Sequence, residues 1–99
     1  MRIEVDPAAE AEAREAYLYY LQADESVAAR FEVSLDEAIE RISRSPGAWP
    51  LYLYGTRRML FRRFPFALIY RVDAERILVL AISHQKRRPG YWRRRAAKH

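Results

Sequence analysis

No cysteine occurs in the 99 residues, which excludes disulfides, thiolate metal ligands and a thiol nucleophile together. Glycine is almost as scarce. Gly47, Gly55 and Gly90 each stand alone, so no glycine-rich loop can cradle a nucleotide phosphate. The two histidines, His84 and His99, are distant from each other and too few to mark a metal cluster. No cofactor motif is present. The longest uninterrupted apolar run, Ile77–Ile82, has six residues, the length of a strand and far short of the ~20 needed by a membrane-spanning helix. Met1-Arg2-Ile3-Glu4-Val5-Asp6 is too acidic for a secretory signal, and the expected location is the cytoplasm, with no membrane partner. There is no internal repeat and no Gly/Ser linker, so residues 1–99 read as one domain, and 51% apolar residues exclude a disordered chain.

Acid is nearly missing from the second half. Residues 1–50 carry 5 Arg against 11 Asp/Glu, whereas residues 51–99 carry 13 Arg/Lys against Asp73 and Glu75 alone, so the net +5 combines halves of −6 and +11. Such asymmetry points to an anionic partner for the second half. Sixteen of the 18 basic residues are arginine, whose planar fork suits bidentate recognition of phosphate or carboxylate and stacking on flat groups. They cluster at Arg57-Arg58, Arg62-Arg63, Lys86-Arg87-Arg88 and Arg93-Arg94-Arg95, with Phe64, Phe66, Tyr91 and Trp92 interleaved. Arginine with aromatic rings suits single-stranded nucleic acid; an acidic protein segment would fit the same surface.

Arg2–Val5 alternates like a short strand. Asp6-Pro7 is a helix start, with a carboxylate for orphan N–H groups and a proline where no donor is needed. Ala13, Ala16, Tyr17, Tyr20 and Leu21 then keep one helical face. Asp24-Glu25-Ser26 breaks the pattern and offers a second cap. Ala28, Phe31, Leu35, Ala38, Ile39 and Ile42 form another stripe that ends at Ser45-Pro46-Gly47. The two helices predict an antiparallel hairpin. Met59–Phe61, Phe66–Val72 and Ile77–Ser83 predict strands, the last two joined by a turn at Asp73–Arg76, and a basic tail follows from Gln85. The expected class is α+β, in the order β-α-α-β-β-β, with the hairpin covering one face of a mainly antiparallel sheet.

His84, between the last strand and the basic tail, could serve as a general acid or base in phosphodiester cleavage. Arg87 could stabilise a pentacoordinate phosphate and Tyr91 could position a 2′-hydroxyl. As a structural group, His84 would cap the strand. His99, at the end of the sequence, is expected to be mobile. Glu37 and Glu40 share a polar helix side and read as solvated charge; Tyr17, Tyr19 and Tyr20 read as core or as a protein-binding surface.

The ordered set of segments resembles the RelE/ParE superfamily, the toxins of bacterial type II toxin–antitoxin modules. It comprises Ile39-Glu40-Arg41-Ile42-Ser43-Arg44-Ser45-Pro46, Arg57-Arg58-Met59-Leu60, Arg63–Val72, and Ile77–Ile82 running into His84-Gln85-Lys86-Arg87-Arg88-Pro89-Gly90-Tyr91-Trp92. The resemblance implies a growth-inhibiting toxin, of the kind that stabilises plasmids, neutralised by a cognate antitoxin. One branch of that superfamily cleaves ribosome-bound mRNA and another inhibits DNA gyrase. On the cleaving pattern, Arg58 and Arg87 match basic positions, Tyr91 is a displaced match to a C-terminal tyrosine, and Leu60 and Ala67 stand where basic residues are usual. The resemblance therefore tilts towards ParE-like inhibition of gyrase. The alternatives are a RelE-like endoribonuclease using Arg58, His84, Arg87 and Tyr91, and a plain RNA-binding module. In each case one face built from Arg57, Arg58, Arg62, Arg63, Arg87 and Arg88, with Trp92, is expected to meet the partner or target.

Overall fold

The computed structural model describes all 99 residues. Strand β1 (Arg2–Val5) leads into helices α1 (Pro7–Ala23) and α2 (Glu25–Arg44). Strands β2 (Arg57–Leu60), β3 (Phe66–Asp73) and β4 (Arg76–His84) follow, and the short helix α3 (Arg93–Lys98) ends the chain. The sheet order is β1-β4-β3-β2, antiparallel except where β1 lies parallel to β4, with Ile3 opposite Ile77 and Val5 opposite Val79. The class is α+β, as the sequence predicts.

Asp6 caps α1 by accepting the Ala8 N–H at 2.8 Å, with Pro7 in the first turn. A cap of this kind stabilises a helix by about 1 kcal/mol. The expected three-residue break between the helices contracts to Asp24 alone. Its extended backbone turns the chain while its carboxylate takes both the N–H and the hydroxyl of Ser26. One residue suffices because the same side chain that stops α1 caps α2.

The hairpin covers one sheet face, and Phe31 of α2 sits at the centre of that core with no exposed surface. The rings of Phe64, Phe66 and Phe61 lie 5.3, 5.5 and 6.0 Å from it, and Tyr20 of α1 closes the cluster at 5.5 Å. Loss of such a buried ring costs about 3–5 kcal/mol.

The opposite face is covered too, where the sequence predicts no cover. The supposed basic tail folds back as a turn and α3. Trp92 packs on Ala67, Ile69 and Ala81, and Ala96 packs on Leu78 and Leu80. Burial on both faces explains why Ile77–Ile82 is continuously apolar instead of alternating. A bulge adds to this. Ile69 pairs with Ala81 but Tyr70 pairs with Val79, so Leu80 is the extra residue, and Leu80 and Ala81 both turn towards the C-terminal cover.

His99, expected to be mobile, is tied down: its Nε2 lies 2.8 Å from the Asp6 carboxylate. Burial alone would raise the Asp6 carboxyl, but the bonds from His99 and the Ala8 N–H outweigh it and hold the group below the usual aspartate value. Arg71 Nη1 adds a bond to the Ala96 carbonyl at 2.8 Å, so α3 is fastened to both β3 and the start of α1.

Candidate functional site

The arginines expected on one face are distributed over three places. Arg57 is committed to the fold, donating from Nη1 to the Trp49 carbonyl at 2.6 Å and so fastening the α2–β2 connection. Arg58 lies on the far face, the one covered by Trp92, because its cross-strand partner is Ile69. Its guanidinium stacks on Tyr52, 4.4 Å from the ring centre. The remaining four form a basic end. β3 starts at Phe66 opposite His84, the last residue of β4, and the Gln85 N–H donates to the Pro65 carbonyl at 2.9 Å. The β2–β3 turn carrying Arg62 and Arg63 is thereby held beside the segment carrying Lys86, Arg87 and Arg88, and all five side chains are exposed.

His84, Arg87 and Tyr91 converge on a groove of about 450 Å³ between α1 and the segment after β4. Arg58, the fourth member of the proposed catalytic set, does not line that groove; its guanidinium lies over Tyr52, so the four are not gathered in one groove. His84 Nδ1 accepts the Lys86 N–H at 3.1 Å and its ring meets Phe66 edge-on at 5.1 Å; it closes the turn after β4. The Arg87 guanidinium stacks on Tyr91, 3.8 Å from the ring centre.

Tyr91 is held from beneath. Its hydroxyl donates to Glu12 at 2.6 Å, and Arg95 donates to the same carboxylate through Nη1 at 2.8 Å and Nη2 at 3.0 Å. Burial, reinforced by Glu12, pushes the phenol up to about 12, which leaves it almost wholly protonated at neutral pH and a poor base. The same pair closes part of a sheet edge. The last rung on the outer side of β4 is the Asp6 N–H on the Val79 carbonyl at 2.9 Å; past it Glu12 accepts the Ile82 N–H at 3.1 Å and Arg95 Nη1 donates to the Leu80 carbonyl at 3.1 Å. Glu12 and Arg95 were not singled out in the sequence, although both determine the shape of the groove.

Trp92, expected at a binding surface, is a correction: it is 1% exposed and belongs to the core of the far face. The indole packs there on Ala67, Ile69 and Ala81, with Tyr52 and Tyr91 against the same cluster. What faces solvent beside it is Tyr54, whose ring meets Trp92 at 5.8 Å and Arg93 at 5.2 Å. Tyr54 sits in a 3₁₀ turn, Leu53–Gly55, with φ of 59°, a left-handed conformation unusual for an aromatic residue. No three His, Asp or Glu side chains come together as a metal site, and no helix is long and apolar enough to cross a membrane.

Among curated proteins none matches the sequence significantly. A solved chain of the chromosomal ParDE TA system from P. aeruginosa shares the fold, with a TM-score of 0.77 and 22% identity, over 85% of this chain and 95% of that one. The family model for the ParE toxin of the type II toxin–antitoxin system, parDE, matches residues 3–89. That span includes the helical hairpin, the basic end and all of the sheet but Arg2, and the chain belongs to the ParE toxin family of type II toxin–antitoxin systems.

Proposed function

We propose that this toxin, its 99 residues acting as one domain in the cytoplasm, arrests growth by binding DNA gyrase and is neutralised by a cognate antitoxin. The reading rests on one observation above all. The only C-terminal phenol available for acid–base work is bonded to Glu12 and raised to about 12, while Arg58 does not line the groove where His84, Arg87 and Tyr91 meet and is committed to the Tyr52 ring. A ribonuclease needs these groups around one phosphate; a binding inhibitor does not. The exposed basic end of Arg62, Arg63, Lys86, Arg87 and Arg88 supplies a dense positive surface, suited to steering towards an acidic protein or a protein–DNA complex.

The test combines two assays. Purified toxin should inhibit gyrase supercoiling, and reversing Arg62 and Arg63 to glutamate should weaken that inhibition at least tenfold. Transcripts from arrested cells should keep intact 5′ ends. Codon-linked cleavage that disappears in Arg87→Ala, with supercoiling unaffected, would establish the endoribonuclease instead.

A further inference from the structure

Arg2, Arg44, Arg71, Arg76 and Arg95 each pair with a carboxylate of the fold. Arg87 is held without one. Its guanidinium lies 3.8 Å from the centre of the Tyr91 ring. That ring is fixed in turn, with its hydroxyl on Glu12 at 2.6 Å and Glu12 on Arg95 at 2.8 and 3.0 Å. Stacking engages the face of a guanidinium and leaves its edge, where the N–H donors lie, free for a planar acceptor. An arginine on an open surface loses side-chain freedom when a ligand immobilises it, and here the ring has removed part of that freedom beforehand.

The fork stands over the groove of about 450 Å³ between α1 and the segment after β4, a volume within the range of sites that enclose a small ligand. Ala16 and Ile82, both nearly buried, form its floor, and Tyr19, 70% exposed, stands at its rim. Lys86 adds charge beside Arg87, whereas Glu12 and Glu15 line the α1 side. An apolar recess ringed by arginine and tyrosine has the composition of the energetic centre of a protein interface. Nucleic acid is disfavoured. A phosphodiester chain in the groove would run beside two carboxylates, and the Tyr91 face on which a base would stack is already taken by Arg87. A protein segment satisfies both sides, with a carboxylate for Arg87 and Lys86, backbone N–H groups for Glu15 and an apolar side chain for the floor.

We propose that this groove is the contact by which the toxin grips gyrase: it seats a large apolar side chain of the enzyme while Arg87 takes a neighbouring carboxylate through two parallel N–H bonds. Tyr91 is a positioning residue that holds the fork at the rim. The wider basic end attracts the partner from a distance, and the groove supplies the selective contact. This inference rests on the gyrase reading above.

The experiment titrates supercoiling by the gyrase holoenzyme with purified toxin. Arg87→Lys keeps the charge and loses the fork, and the toxin concentration giving half inhibition should rise at least tenfold. The same exchange at Arg62, a steering charge, should raise it about threefold. Tyr91→Leu, which removes the ring beneath the guanidinium, should match the Arg87→Lys loss, and Tyr91→Phe, which restores the ring, should recover most of it. Arg87 is exposed, so its lysine variant guards against misfolding at Tyr91. With Tyr19 replaced by photoreactive p-benzoylphenylalanine, the toxin should crosslink to a gyrase subunit at a segment that carries an acidic residue beside an aromatic or large aliphatic one. If wild-type toxin leaves supercoiling untouched, the gyrase reading falls and this inference with it. If it inhibits while Arg87→Lys and Tyr91→Leu inhibit equally well, only the groove proposal is overturned. Variants that still inhibit but escape the antitoxin would assign the groove to the antitoxin, and a crosslink to DNA in place of protein would assign it to nucleic acid; either result overturns the proposal.

Discussion

Replacing Glu12 by glutamine tests the arrangement that joins the two ends of the chain. In the wild type, one carboxylate accepts from the Ile82 N–H, the Tyr91 hydroxyl and both terminal nitrogens of Arg95. Every group around it is a donor, so a side-chain amide in its place would point N–H at N–H and leave a guanidinium without its counter-charge. Removing one partner of a buried pair costs about 3–5 kcal/mol. Here the side chains of Arg95 and Glu12 are 19% and 14% exposed, which favours the lower end, about 3 kcal/mol. For a domain of this size each kcal/mol lowers Tm by about 4–8 °C, so a fall of about 12–24 °C is expected. Urea denaturation followed by tryptophan fluorescence would measure the loss of stability, since Trp92 is buried beside the pair. Glu40→Gln is the control. Its i, i+4 partner Arg44 is 71% exposed and Glu40 itself 65%, and the expected loss is below about 0.5 kcal/mol. A double-mutant cycle with Arg95→Met should give a coupling of at least about 1 kcal/mol. A Glu12→Gln variant as stable as Glu40→Gln, or a coupling near zero, would refute the reasoning.

Two further outcomes follow from the same region. Gly90 has φ of +81°, and a Cβ there would stand 3.0 Å from Cε2 of Tyr54; Gly90→Ala should cost about 1–2 kcal/mol and perturb Tyr54 resonances, whereas Gly47→Ala, with nothing within 4 Å, should be close to neutral in the same thermal melts. The Tyr91 phenol, pushed up to about 12 by burial and Glu12, is raised above its unfolded value of about 10. Its contribution is therefore complete below about pH 10 and lost as the pH climbs towards about 12; an alkaline absorbance titration should show a late-ionising phenol that disappears in Tyr91→Phe, and an unchanged titration curve would contradict the Glu12 bond.

The helical hairpin was legible because its signals are local. Asp6, Pro7 and Asp24 are read from a few neighbouring residues, and the Phe31 stripe from its 3.6-residue period. The strands appeared in the right order but two residues short at the start of β2, where Arg57 and Arg58 hide strand backbone behind charge. The C-terminal cover was missed because its determinants lie far apart. Glu12 and Arg95 are separated by 83 positions, and in the run Arg93-Arg94-Arg95 three identical residues have different fates. Helical geometry turns Arg93 and Arg94 to solvent and Arg95 towards Glu12. One signal was present all the same. An apolar run without alternation, Ile77–Ile82, requires cover on both faces, and only the segment bearing Trp92 and Ala96 remained to provide it. The candidate site suffered from the same cause. Charge clusters in the sequence suggest one surface, but strand alternation sends Arg57 and Arg58 to opposite faces, and only cross-strand register reveals which.

The clasp between the two ends also sets an order of events during synthesis. Domains take shape from the N-terminus as the chain is made, at about 5–20 residues per second. The helical hairpin can form early, yet β1 must wait for β4 before it has a neighbour. Even then, although Glu12 is in place for the Ile82 N–H, the Leu80 carbonyl on the outer side of β4 has no partner until Arg95 arrives, and Ala81 has no lid until Trp92 does. Closure of the fold thus depends on Trp92 and Arg95, and a ribosome that stops short of Trp92 would release a chain with an open sheet face.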